Sequence, residues 1–174
     1  MNSLRWESPL SGPMTQSEQR LDASGLRVAI VAARFHTEIT QRLVLGAREC
    51  LAELGATDVT LDWVPGAFEL PLASRLRIEA GADAIVALGC VVRGETPHFE
   101  FVAREAARGI MIASLETGVP VAFGVLTTED MPQAEARAGG DQGNKGRDAA
   151  ATAVEMALLA RNVVAAGDGH GLVC

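Results

Sequence analysis

The stretch Ala84-Ile85-Val86-Ala87-Leu88-Gly89-Cys90-Val91-Val92, running straight into Arg93-Gly94-Glu95-Thr96-Pro97-His98, decides the fold. It is apolar without alternation, as strands are when a parallel sheet is covered by helices on both faces. Residues 27–33, 59–64 and 120–126 share this character and read as three more strands. Amphipathic segments separate them. Residues 39–54 place Ile39, Leu43, Val44, Ala47, Cys50, Leu51 and Leu54 on one stripe and end before Gly55. Two more helices are predicted over 68–80, before Gly81, and 98–116, before Gly118. A short helix over 132–138, a polar glycine-rich connection over 139–144 and a last helix over 145–165, buried through Val154, Ala157 and Leu158, complete the chain. Right-handed crossovers then give an α/β layer fold on a four-stranded parallel sheet.

The 174 residues suit one domain, large enough to bury roughly 70% of its unfolded surface. Hydrophobic residues at 48% and charged residues at 21% exclude a disordered chain. A net charge of −7 argues against a general grip on nucleic acid or anionic membrane, so any anion site must be local. Cys50, Cys90 and Cys174 are odd in number and widely spaced, which signals neither a disulfide framework nor a zinc cluster and points to a reducing interior. No apolar run approaches the ~20 residues of a membrane helix. The first residues lack a basic segment leading into an apolar one, and the expected location is cytoplasmic. Residues 1–20 read as a mobile tail, 21–166 as the domain and 167–174 as a C-terminal tail.

Ligands of open parallel sheets gather outside the carboxyl ends of the strands, so the segments that follow each run carry the chemistry. Gly94-Glu95-Thr96 sits between a strand and a helix N-terminus, either as a phosphate cradle or as an ordinary turn with Thr96 as cap. Neither a Walker pattern nor a GxGxxG stretch occurs, which disfavours nucleoside triphosphates and dinucleotides. His98 is the leading acid–base candidate, against the reading of a solvated helix-end histidine. Phe35 and Phe68, in a chain with five Phe, two Trp and no Tyr, either stack on a planar ligand or fill the core. Glu69 would bind ligand hydroxyls or serve a helix dipole. Arg137 and Lys145 are cations for a phosphate or for solvent, and Asp148 would orient a histidine or balance a cation. The three histidines form no ligand cluster, so no metal is expected.

The segments Ala33-Arg34-Phe35, Val64-Pro65-Gly66-Ala67-Phe68-Glu69-Leu70-Pro71, Leu88 to Phe99, Phe123-Gly124-Val125-Leu126-Thr127, Arg137-Ala138-Gly139 and Gly143-Asn144-Lys145-Gly146 occur in one order across residues 26–165. Together they resemble the lumazine synthase family of riboflavin biosynthesis. The resemblance implies a three-layer flavodoxin-like sandwich and condensation of 5-amino-6-(D-ribitylamino)uracil with 3,4-dihydroxy-2-butanone 4-phosphate, without cofactor or metal. It implies that Phe35 stacks on the pyrimidine and that Ala67, Phe68 and Glu69 line the ribityl site. The same resemblance adds Val91, Val92 and Arg93 to the substrate-binding set. Gly94-Glu95-Thr96 and Arg137 would hold the butanone phosphate, His98 would shuttle protons with Asp148 in support, and Lys145 would add positive charge.

By the same resemblance, active sites lie between subunits of a homo-pentamer, with Phe123, Arg137 and Lys145 from the neighbour. The short 139–144 connection points to a 60-subunit icosahedral shell, and riboflavin synthase is the implied protein partner. The end of the N-terminal tail would add an edge strand to a neighbour's sheet. Two departures are visible: His36 where the family commonly has Asn, and Asp141 where many relatives carry Lys. The rival reading is a non-catalytic flavin or pteridine binder, which would have no use for a phosphate site.

Overall fold

Alternate residues of the central strands pack into two separate cores, one on each face of the sheet. In the computed structural model, which describes residues 21–168, the order is β1 (Arg27–Ala33), α1 (Thr37–Glu53), β2 (Asp58–Val64), a 3-10 turn (Ala67–Glu69), α2 (Leu70–Glu79), β3 (Ala84–Val92), α3 (His98–Thr117), β4 (Val121–Thr128), α4 (Met131–Arg137), β5 (Ala138–Gly140), β6 (Gly143–Asn144) and α5 (Lys145–Asp168). Val28, Ile30, Val86 and Leu88 face α1 and α5 through Leu43, Ala47, Ala150 and Val154. Val31, Ile85 and Ala87 face α2 and α3 through Leu70, Ala106 and Ile110. Both faces of β1 and β3 are therefore dry, which is why their sequences do not alternate. Truncating a fully buried side chain such as Leu88 to alanine would cost about 2–5 kcal/mol.

The four-stranded sheet is parallel throughout, in the order β2-β1-β3-β4. The chain moves outward from β1 to β2, then reverses across β1 to β3. A right-handed crossover must change face when direction reverses, so α1 covers one face while α2 and α3 cover the other. This is the three-layer flavodoxin-like arrangement, with its switch point between the carboxyl ends of β1 and β3.

Three expectations change. The predicted helix over 68–80 opens with the 3-10 turn, and α2 begins only at Leu70, with Pro71 in its first turn. The predicted connection over 139–144 is a small antiparallel hairpin, β5 against β6, turned by Gly139 at φ 102° and Gly143 at φ 75°, values that favour glycine. The last helix continues through Asp168, past the expected end at residue 165. The proposed N-terminal edge strand lies outside the described residues. Among the described residues no aromatic side chain is buried, and no helix is long and apolar enough to cross a membrane.

Candidate functional site

A cleft of about 580 Å³ opens beyond the carboxyl ends of β1, β2 and β3, within the ~300–1,000 Å³ range of small-molecule sites. Its walls include Phe35, His36, Gly66, Ala67, Phe68, Glu69, Val91, Val92, Gly94, Thr96 and His98. The switch point of the sheet is thus where the sequence-predicted residues converge.

Phe35 is clamped by its backbone and open at its ring. The Arg34 N–H donates to the Val64 carbonyl at 2.9 Å, and the Arg34 guanidinium donates to the Trp63 carbonyl at 3.3 Å. The Thr37 hydroxyl donates to the Arg34 carbonyl, and the buried Thr40 hydroxyl to that of Phe35 at 3.4 Å. Phe35 is nonetheless 69% exposed, and Phe68 is 58% exposed. Leaving such rings in water forgoes burial worth roughly 1.5–3 kcal/mol each, so core filling does not account for either.

His36 closes the same turn. It precedes α1 with φ 54° and ψ 49°, the only non-glycine residue of positive φ among the described residues. Asn and His are among the few side chains enriched in that region. Sequence patterning gave no sign of this backbone state.

Glu69 is anchored by geometry: its Oε2 accepts the Gly66 N–H at 2.9 Å and caps the 3-10 turn. Pro97, rather than Thr96, holds the N-cap position of α3, and no side chain caps that helix. Thr96 therefore lines the cleft instead of serving as a cap, and the helix end beside it keeps its positive partial charge. His98 is the first residue of α3 and stands in the same wall.

Arg93 and Glu95 do not line this cleft. The Arg93 guanidinium donates to Glu129 at 2.6 Å and to Glu100 at 3.2 Å, and stacks 4.5 Å from the Phe99 ring centroid. Its hydrogen bonds to Glu129 and then to Glu100 push its pKa further up. It braces the loop that carries Gly94 and Thr96. Neither acid was singled out by sequence reasoning, because both are distant in the chain or ordinary for a first helical turn.

The remaining candidates lie elsewhere in the same chain. Phe123, Lys145 and Asp148 line a second cleft, of about 230 Å³, beside the edge strand β4. Lys145 Nζ donates to the Asp148 carboxylate at 2.6 Å, so Asp148 balances a cation here and shares no cleft with His98. Lys145 is the only lysine in the sequence; every other residue of fixed positive charge is arginine. Arg137 lines neither cleft; its guanidinium donates to the Gln133 carbonyl at 3.0 Å on its own helix.

Among the described residues no group of three or more His, Cys, Asp or Glu could hold a metal ion. Cys90 lies in the first cleft, but burial pushes its thiol up to about 11, which keeps it protonated and unreactive at neutral pH.

Aromatic walls left in solvent, the imidazoles of His36 and His98 and an uncapped helix end at the switch point of an α/β sheet mark a flavodoxin-like protein with a small-molecule site. A family model described as 6,7-dimethyl-8-ribityllumazine synthase matches residues 25–161. The protein of that name from Thermus thermophilus is 53% identical over 142 residues, covering 80% of this chain and 90% of that one. The one from Chlorobium chlorochromatii is 50% identical over 151 residues, covering 85% and 97%. The chain belongs to the 6,7-dimethyl-8-ribityllumazine synthase family.

Proposed function

We propose that the chain condenses 5-amino-6-(D-ribitylamino)uracil with 3,4-dihydroxy-2-butanone 4-phosphate to 6,7-dimethyl-8-ribityllumazine, phosphate and water, the penultimate step of riboflavin biosynthesis. The observation that carries this reading is the convergence of Phe35, Glu69, the Gly94–Thr96 loop and His98 on one cleft.

Phe35 stacks on the pyrimidine, while Ala67, Phe68 and the Glu69 carboxylate receive the ribityl chain. The α3 N-terminus and Thr96 accept the phosphate, where an anion gains from the helix dipole. The substrate amine is itself the nucleophile, so the protein supplies alignment and proton transfer rather than a covalent partner. Imine formation releases water, elimination releases phosphate, and ring closure by the ribitylamino nitrogen releases a second water. His98 moves protons in these steps.

Phe123, Arg137, Lys145 and Asp148 act in a neighbouring subunit's site. Phe123 is 45% exposed and joins the second cleft to an apolar groove lined by Ile110, Met111 and Met156, a surface suited to another copy of the chain. The assembly we infer is a pentamer with shared sites, stacked into a 60-subunit shell in the cytoplasm, where riboflavin synthase would consume the product.

Mixing both substrates with purified protein, without metal or nucleotide, should yield the lumazine chromophore and free phosphate well above the spontaneous rate. Equality with the protein-free control would favour a ligand-binding protein instead. Arg137→Ala should raise KM for the phosphorylated substrate while sparing pyrimidine binding; His98→Ala should slow turnover more modestly, since alignment survives. Light scattering reads the assembly.

A further inference from the structure

Asn144 immediately precedes α5, and both ends of its amide are engaged. Its Oδ1 accepts the N–H groups of Gly146 at 2.9 Å and Arg147 at 3.2 Å, capping α5. Its Nδ2 donates to the carbonyl of Arg42 on α1 at 2.8 Å. Two glycines make room for this joint. A Cβ on Gly46 of α1 would fall on the Asn144 side chain, and a Cβ on Gly146 would overlap the Leu43 carbonyl. The first turn of α5 is therefore set backbone-close against the middle of α1, and that turn carries Lys145 and Asp148.

We propose that Asn144 is a positioning residue for the second cleft. It ties the first turn of α5 to α1 and so fixes where the Lys145 ammonium stands, and its effect on the reaction passes through Lys145. The kinetic part rests on the reading that Lys145 serves the phosphorylated substrate. The geometric part does not. A helix cap alone would support stability without bearing on one particular side chain, whereas the Nδ2 bond to Arg42 orients the turn in space. A displacement of about 1 Å at a reacting group is enough to cost up to ~100-fold in rate.

Two variants test the tie, and the first keeps the cap. Asn144→Ser keeps an oxygen able to cap α5 but cannot reach Arg42. Gly46→Ala displaces the whole Asn144 amide, tie and cap together, without changing any residue of α5. Because the chain has one lysine, reductive methylation with ¹³C-formaldehyde gives a single lysine dimethylamino signal, which reports the surroundings of Lys145 without any substrate. Both variants should fold with thermal midpoints within a few degrees of the parent and shift that signal and its pH titration. An unmoved signal in both overturns the proposal, whatever the activity.

In turnover assays each variant should lower kcat/KM for the phosphorylated substrate by about 10-fold, in the range expected for a misplaced charged group. On a Lys145→Met background, Asn144→Ser should then cost nothing further, since the group it positions is gone. An undiminished 10-fold loss on that background would show that Asn144 acts by another route and would overturn the proposal. Lys145→Met with parental kcat/KM would sink the kinetic claim, while turnover by the parent protein would still stand as proof of the reaction.

Discussion

The Gly66 N–H reaches Glu69 Oε2 at 2.9 Å, so one carboxylate oxygen is fixed to the backbone of the turn it closes. A carboxylate held this way is oriented before a ligand arrives, which lowers the entropy lost when it accepts hydroxyl groups. Glu69→Gln can keep the bond to Gly66 through its carbonyl oxygen but turns an NH₂ group outward. Affinity for a ribityl-bearing product analogue should fall about 10-fold or more, the scale of a charge-assisted hydrogen bond. A methyl analogue lacking the ribityl chain should bind as before. Calorimetry on both ligands decides the matter, and equal losses would remove Glu69 from the ribityl site.

Phe35 offers a clean separation of stability from binding. Its ring is exposed, while its carbonyl accepts from Thr40 and the preceding Arg34 is held by Thr37 and Val64. Phe35→Ala should leave unfolding free energy within about 0.5 kcal/mol of the parent. Binding of a planar pyrimidine should weaken roughly 10-fold through the loss of stacking. A large drop in the denaturation midpoint would mean the ring belongs to the core after all.

Arg93 should matter for loop order more than for stability. Its two carboxylate partners are well exposed, and ion pairs of that kind contribute about 0–1 kcal/mol. Arg93→Lys loses the planar fork that meets Glu129, Glu100 and the Phe99 ring together. Amide exchange over residues 94–98 should accelerate while the thermal midpoint hardly moves. Unchanged exchange in that loop would count against the brace.

Alkaline pH should destabilise the fold through Cys90. Its thiol titrates near 9.0 when free and at about 11 when buried, so the folded state retains a proton that the unfolded chain has lost. Stability is full below pH ~9 and declines as pH rises towards ~11, by on the order of 2 kcal/mol. Cys50 is shifted in the same direction, chiefly by burial. No tyrosine titrates in that window. Urea midpoints between pH 8 and 11 should fall less steeply in Cys90→Ala; an identical slope would exclude this thiol as the cause.

Much of this architecture was legible because β1 and β3 are covered on both faces and therefore carry unbroken apolar runs. Both were bounded correctly from sequence, and β2 and β4 to within two residues at either end. The turn over Ala67–Glu69 and the hairpin over 138–144 were not legible, since each depends on local closure by a side chain or by glycines rather than on periodic burial. The place of the cleft is legible because an open parallel sheet leaves its crevice beyond the carboxyl ends of the strands. The brace on Arg93 was not, because Glu129 lies 36 positions away and only the folded sheet brings the two together. Asp148 stayed open in the sequence between orienting a histidine and balancing a cation, since both groups are compatible with its place on the last helix; the folded chain pairs it with Lys145.

The sheet also separates two kinds of information along each strand. Residues that hold the layers together occupy strand interiors such as Val28–Ala32 and Ala84–Leu88, whereas those that line the first cleft sit at the last residues of β3 and in the segments that follow β1, β2 and β3. A mutant library confined to positions 35, 68 and 94–98 would therefore explore new ligand preferences on an almost unaltered scaffold, and inheritance could do the same over evolutionary time.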